Sequence, residues 1–268
     1  MVFMPESVFA SLAIIAYILL TILFAYRLAS RGQGLSKTRL LILGYLVVAL
    51  HAYTLYLRLF AGDTLDISFF TVFSLIAWVI TLMLLSFAWH DPIENLAIGV
   101  LPIAAVALLL RLFNEHTSPL SHDLSFVLET HIITSIIAYS LLSIAALQAI
   151  LLYVQDVQLH NKHATGFVRN LPPLETMEKL LFRIIGTGFI VLCVSLFTGF
   201  FFVDDLISQH KTVLSVGAWI LFGILLLGRW RFGWRGRTAI RWTLTGFVFL
   251  LLAYFGSKFV LEIILQRQ

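Results

Sequence analysis

Charge is what this chain has least of. Asp, Glu, Lys and Arg make up 12% of its 268 residues, about half the roughly 25% carried by soluble domains. That shortage excludes a disordered chain, a nucleic-acid-binding domain and an ordinary cytosolic enzyme. Cysteine is nearly missing as well. The one copy, Cys193, excludes a disulfide framework, a CxxC redox pair and a c-type haem attachment motif. No Walker loop, HExxH motif or serine-nucleophile elbow occurs, nor any internal repeat or low-complexity tract. No positive charge precedes the first apolar run and four follow it, so a cleaved signal peptide is not expected.

What is present is hydrophobic: 60% of the residues, with a mean hydropathy of +0.97. At about 20 residues per membrane span, the apolar content suffices for about eight helices, and eight runs can be read directly. They are Val8–Tyr26, Leu40–Leu57, Ile67–Trp89, Asn95–Leu110, Ile132–Gln155, Ile184–Val203, Thr212–Gly228 and Trp242–Ser257, and none contains a Lys, Arg, Asp or Glu. They lack the apolar–polar alternation of barrel strands, and a span must satisfy its own backbone inside lipid. The expected fold is therefore all-α, a polytopic membrane bundle of eight transmembrane helices forming a single domain over residues 1–268.

The basic residues set an orientation. Arg27, Arg31, Lys37 and Arg39 follow the first run, and Lys162, Arg169, Lys179 and Arg183 lie between the fifth and sixth. Arg229, Arg231, Arg235, Arg237 and Arg241 follow the seventh, so thirteen of the 18 fall on one side. Arg58, Arg111, Lys211, Lys258 and Arg267 fall on the other. The positive-inside rule then puts both termini outside, and it explains the pI near 9.3 without a polyanion partner. The loop with His90, Asp91 and Glu94 is inside yet has no basic residue. In that loop Asp91 and Pro92 read as N-cap and N1 of the fourth helix. Pro172 and Pro173 read as the start of a short interfacial helix over Leu174–Lys179.

Ionisable groups inside a membrane are expensive and point to function. His51 lies eleven residues into the second run, roughly 16 Å along a helix axis and so near mid-bilayer. Arg58 follows seven residues later on nearly the same face, and both should turn into a polar cleft opening outward. His51 reads either as a neutral imidazole bonded to a neighbouring helix or as a metal ligand, haem ligand or proton relay. His131 starts the fifth helix at the outer interface, with Ser135 and Tyr139 following at i+4 and i+8. His210, beside Lys211, begins the seventh at the same face. Each reads alone as a solvated interfacial residue. Together, two imidazoles there could flank a planar metal complex. His116, His122, His160 and His163 are loop residues, and Cys193 reads as a small apolar side chain. The turn Gly233-Trp234-Arg235-Gly236-Arg237 reads as a basic cytoplasmic anchor or a headgroup contact.

Three segments carry a family resemblance. They are Gly233–Arg237 with Leu252-Ala-Tyr-Phe-Gly-Ser-Lys-Phe259, the helix of His51 and Arg58, and His131-Ile-Ile-Thr-Ser-Ile-Ile-Ala-Tyr139. Over nearly the whole chain the sequence resembles the cytochrome c assembly family of haem-handling membrane proteins, in its HemX-like, YpjD-like inner-membrane branch. The resemblance implies an intramembrane histidine at His51 and an external haem-ligand histidine at His131. It also shows departures. The tryptophan-rich signature loop of the synthases is replaced by the short segment Phe202–Lys211, with His210 near its final aspartate. No histidine follows the last helix, and Gly228 stands near the second intramembrane histidine.

The resemblance therefore implies a multi-pass protein of the bacterial inner membrane that is not an enzyme. It would bind or pass haem near the outer face without attaching it, accessory to cytochrome c assembly or haem homeostasis. The cofactor-binding candidates are His131, His51, His210 and Arg58, with His131 and His210 as iron ligands. The expected partners are haem, the lipid bilayer and other cytochrome-assembly or haem-biosynthesis proteins. Two alternatives stand beside this reading. One is a small-molecule or proton-coupled permease using His51 and Arg58. The other is a membrane scaffold for a haem-biosynthesis or protein-targeting partner.

Overall fold

The computed structural model describes residues 6–30, 32, 34–59, 65–66, 68–114, 119–120, 125–161, 168–202 and 210–256. Among the described residues, eight α-helices occupy the positions of the eight apolar runs, each long and apolar enough to cross a membrane once the 3-10 turn before the fourth and the π turn after the eighth are counted with them. They are α1 (Glu6–Ala29), α2 (Lys37–Leu59), α3 (Phe69–Ala88), α4 (Ala97–Leu112), α5 (Phe126–His160), α6 (Leu174–Gly199), α7 (His210–Phe232) and α8 (Arg237–Leu251). The chain divides into two compact units. The first is Met1–Asp123 with Arg169–Leu171, and the second is Leu124–Val168 with Pro172–Gln268.

In the first unit, α1 packs on α2 and α4, and α3 packs on both α2 and α4. The buried side of α1 steps through Ala10, Ala13, Tyr17, Leu20, Phe24 and Leu28, in steps of three and four residues as an interhelical seam requires. Its other side carries Leu12, Ile15, Leu19 and Ile22, all at least half exposed. Such a face of large aliphatic side chains is stable in hydrocarbon and unstable in water. Between α2 and α3 the approach is tight, since a Cβ on Gly44 would come within 2.8 Å of Leu85. A two-residue antiparallel ladder, β1 (Leu65–Asp66) with β2 (Pro119–Leu120), ties the connection after α2 to the one after α4. It is the only strand pairing among the described residues, and no hydropathy pattern announces so short a pair.

The second unit is built on α5 and α6, its most extensive helix pair, with α8 against α5 and α7 between α6 and α8. The 35 residues of α5 amount to about 52 Å and the 26 of α6 to about 39 Å, both longer than a hydrocarbon core of about 30 Å. The surplus is the polar end of α5 around Asp156 and the first turns of α6. The expected separate helix over Leu174–Lys179 is thus the first turns of α6 itself. Its Glu178, only 2% exposed, pairs with Arg229 at 3.1 Å and with Arg235 at 3.5 Å, which holds those turns against the α7–α8 turn. Asp91 and Pro92 also differ from expectation. They lie in a bend, and a 3-10 turn over Glu94–Leu96 precedes α4 instead of an Asp91 cap.

Candidate functional site

His131, Ser135 and Tyr139 lie along one line of α5, and all three find neighbours inside the second unit. Ser125 caps α5 by accepting from the Leu128 backbone N–H at 3.3 Å, which places His131 in the helix's second turn. Its Nδ1 lies 2.9 Å from the backbone carbonyl of Ser195 near the end of α6. A carbonyl only accepts, so Nδ1 carries the proton and Nε2 carries the lone pair. Histidines that bind metals are oriented in this way, with one ring nitrogen donating to a carbonyl or carboxylate and the other facing the metal. The hydroxyl of Thr198 lies 3.4 Å from the same Nδ1 and itself donates to the Ser195 carbonyl at 3.0 Å.

Gly199 is what lets the ring lie there. A Cβ at that position would stand 2.9 Å from His131 Cε1 and 3.2 Å from Nδ1, closer than carbon contacts allow. One turn along α5, the hydroxyls of Ser135 and Ser195 are 2.7 Å apart. One turn further, the ring of Tyr139 packs against Phe255, Phe247 and Tyr254, with centroids 5.4, 5.9 and 6.3 Å away. Tyr139 is 7% exposed, and among the described residues its hydroxyl has no hydrogen-bond partner. The Lys211 ammonium, at the start of α7, sits 5.3 Å from the centre of the Tyr254 ring. The start of α5, the end of α6, the start of α7 and the end of α8 thus bring together one imidazole, several hydroxyls, three aromatic rings and a cation. The side chain of His210 lies outside the described residues.

His51 and Arg58 belong to the first unit. His51 is fully buried and points to the bundle interior, where both ring nitrogens are engaged. Nδ1 is 2.9 Å from the Tyr17 hydroxyl on α1, and Nε2 is 2.9 Å from the Ser74 hydroxyl on α3. The ring therefore sits in a closed hydrogen-bonded chain, not in the open cleft expected from its spacing to Arg58. Arg58 donates from Nε to Asp66 at 3.0 Å, and Asp66 also accepts from the backbone of Ser68 and the hydroxyl of Thr71. Arg111 on α4, 3% exposed, reaches Glu6 at 2.8 Å and the carbonyl of Thr54 at 3.3 Å. The buried Arg111 and the half-buried Arg58 are each matched by a carboxylate, as low-dielectric surroundings demand.

At the other end of the second unit, Arg237 donates to Asp156 at 2.9 Å and Arg229 to the carbonyl of Trp234 at 3.1 Å. Trp234 lies over Gly228, where an added Cβ would collide with its indole. The residue near the family's second intramembrane histidine is thus one where a neighbouring tryptophan takes the place of a side chain.

Among the described residues no three His, Cys, Asp or Glu side chains converge as a metal cluster. A single oriented imidazole suits a metal that brings its own equatorial ligands, and haem iron is such a metal. The orphan Tyr139 hydroxyl, the aromatic wall and Lys211 add what an amphipathic macrocycle needs from its surroundings. The residue types gathered at this end of the second unit therefore fit haem.

Sequence reasoning named His131, the Ser135–Tyr139 line and Lys211. It missed Ser195, Thr198 and Gly199, whose only signal is a Ser-x-x-Thr-Gly ending an apolar run. It also missed Tyr17 and Ser74 as the partners of His51.

The sequence matches the profile of a family described as Cytochrome C assembly protein over residues 40–265. It is 33% identical over 264 residues to Inner membrane protein YpjD of Escherichia coli strain K12, covering 96% of this chain and 99% of that protein. A 28.8 kDa protein of Azospirillum brasilense is 36% identical over 143 residues, 52% of this chain and 53% of that protein. Cytochrome c biogenesis protein CcsA of Gloeobacter violaceus is 28% identical over 93 residues, 33% of this chain and 28% of that protein.

Proposed function

The chain is a multi-pass inner-membrane protein belonging to the cytochrome c assembly family, and from that premise we propose that it handles haem at the His131 end of the second unit. His131 is the iron ligand. The protein binds or passes haem as an accessory of cytochrome c assembly or haem homeostasis and does not attach haem itself. The observation that carries this reading is the bond from His131 Nδ1 to the Ser195 carbonyl, because it leaves the metal-binding lone pair on Nε2. Haem, when bound, would supply the iron, and His131 would hold it while the neighbouring aromatic side chains would line the macrocycle. The charge bias of the loops supports placing this end of the helices at the outer face. The whole chain works as one transmembrane domain, and its other partners are proteins that deliver or receive haem.

The test is haem titration of the purified protein beside His131→Ala. The wild type is expected to develop a Soret band with histidine-ligated features that the variant lacks. Equal spectra and affinities would remove His131 as ligand, and failure of both to bind haem would remove the haem reading.

A second reading rests on one separate observation. The chain of hydroxyl, imidazole and hydroxyl through Tyr17, His51 and Ser74 joins three helices inside the first unit, and such a chain can pass a proton. A proton-coupled permease would use it. Its mark is proton uptake into proteoliposomes that His51→Gln abolishes.

A further inference from the structure

The turn between α7 and α8 lies at the opposite end of the second unit from His131, and it concentrates positive charge. Five of the chain's 18 basic residues fall between positions 229 and 241. Arg229 and Arg235 share one carboxylate, Glu178, and Arg237 takes another, Asp156. Arg231 and Arg241 are exposed and, among the described residues, form no ion pair. The backbone fixes where these two stand. Gly233, at φ 66°, ends α7, and the Trp234 N–H donates to the Gly228 carbonyl at 3.2 Å. This left-handed C-terminal motif reverses the chain within a few residues. The reversal stacks three rings into a row. The Trp234 ring lies 6.4 Å from Phe232 on α7 and 5.4 Å from Trp242 on α8, centroid to centroid. Arg231 precedes Phe232 and Arg241 precedes Trp242, so the two uncommitted cations belong to the two ends of one aromatic row.

The exposed rings say what covers this surface. Trp230 and Phe232 are 84% and 75% exposed, which is unfavourable for large aromatic side chains in water. Such rings settle instead at the level of lipid headgroups, where one edge meets hydrocarbon and the other water. The turn joins two helices that can each cross a membrane, which puts it at that level. A zwitterionic headgroup brings no net charge to offset Arg231 and Arg241, whereas an anionic one does. We infer that the α7–α8 turn is a specific site for an anionic phospholipid. Arg231 and Arg241 bind the headgroup phosphate, and Trp230 and Phe232 pack beside the glycerol and the upper acyl chain. The site uses none of the residues around His131, so it stands whether or not the chain handles haem.

The probe is phosphatidylglycerol, with phosphatidylcholine of the same acyl chains as its neutral counterpart. Each is titrated into the purified full chain in detergent, and bound lipids are counted by native mass spectrometry. A cation beside an anionic headgroup is worth about fivefold in affinity, so two give a preference of about 25-fold. The wild type is expected to retain one phosphatidylglycerol with that preference over phosphatidylcholine. Replacing both arginines, Arg231→Gln with Arg241→Gln, should bring the two lipids to nearly equal affinity. Arg231→Lys with Arg241→Lys keeps the charge and should keep the preference. Arg39→Gln with Arg169→Gln removes the same charge from two exposed arginines of the first unit and should change nothing. Equal retention of the two lipids by the wild type would overturn the inference with no variant needed, leaving the turn to an acidic protein partner. So would a preference that survives the glutamine pair at 231 and 241 or is lost in the lysine pair. A preference that falls equally with Arg39 and Arg169 would show only a diffuse attraction of lipid to basic loops, and the site would be refuted. Displacement of the lipid by inorganic phosphate would refute it as well, in favour of a soluble anion.

Discussion

Replacing Gly199 by alanine tests whether the orientation of His131 matters for haem, because its effects on folding and on the site have opposite signs. Alanine is favoured over glycine in a helix by about 1 kcal/mol, and Gly199, the last residue of α6, is not among the glycines with positive φ. The backbone therefore accepts alanine. The His131 ring does not, because the new Cβ would lie 2.9 Å from Cε1. The ring must retreat by roughly 0.6 Å to reach ordinary carbon contact near 3.5 Å. The direct way out is rotation away from α6, which lengthens the 2.9 Å bond to the Ser195 carbonyl. Losing that bond costs about 1 kcal/mol of stability, so the two effects nearly cancel and the melting temperature should shift by no more than a few degrees. Haem affinity has no such compensation. Loss of the partner that orients a metal-binding histidine typically weakens the metal about 10- to 100-fold. The assay pairs a haem titration with a melting curve on the same purified samples. The expected result is haem binding at least about tenfold weaker at nearly unchanged melting. Unchanged haem affinity in a folded Gly199→Ala protein would show that the bond to Ser195 does not prepare His131 as a ligand.

Two further outcomes are expected. A double-mutant cycle between Tyr17→Phe and His51→Leu should give a coupling of about 0.6 to 1.7 kcal/mol in unfolding free energy, the range measured for hydrogen bonds between membrane helices. Additivity within about 0.3 kcal/mol would mean that the 2.9 Å contact contributes nothing of its own. Reporter fusions after Gln33 and after His163 should behave as cytoplasmic, and a fusion at Gln268 as periplasmic. A cytoplasmic C-terminus would move His131 to the opposite face of the membrane.

The eight helices were legible because length and apolar composition alone decide what can cross a bilayer. Their faces were not. In a soluble helix the buried stripe is the apolar one, and its period reveals it. In α1, by contrast, the lipid-facing side carries Leu12, Ile15, Leu19 and Ile22 while the buried side carries Ala10, Ala13 and Tyr17. The buried side also carries Leu20, Phe24 and Leu28, so both sides are apolar and hydrophobic periodicity points nowhere. Small residues mark close packing in such bundles, and Gly44 and Gly188, each pressed against a leucine of the next helix, are where that signal was readable.

The two histidines show where reading the site from sequence stops. His51 and His131 are single imidazoles in apolar helices, and depth separates them only as a deep residue and an interfacial one. Their neighbours make the chemical difference. A hydroxyl can donate or accept, so Tyr17 and Ser74 satisfy both nitrogens of His51 in either tautomer and leave it balanced inside the bundle. For His51 to bind iron, one of those bonds must first break. A backbone carbonyl can only accept, so Ser195 fixes the tautomer of His131 and commits Nε2 to the role of acceptor. Every residue has a carbonyl, so no residue type in the sequence could announce this one. What exposes the Ser195 carbonyl to the ring is the end of α6 together with the missing side chain of Gly199. The choice between a structural histidine and a ligand histidine is thus made by the partner atom on the adjoining helix, and the family resemblance, which suggests a haem role for both, does not carry that information.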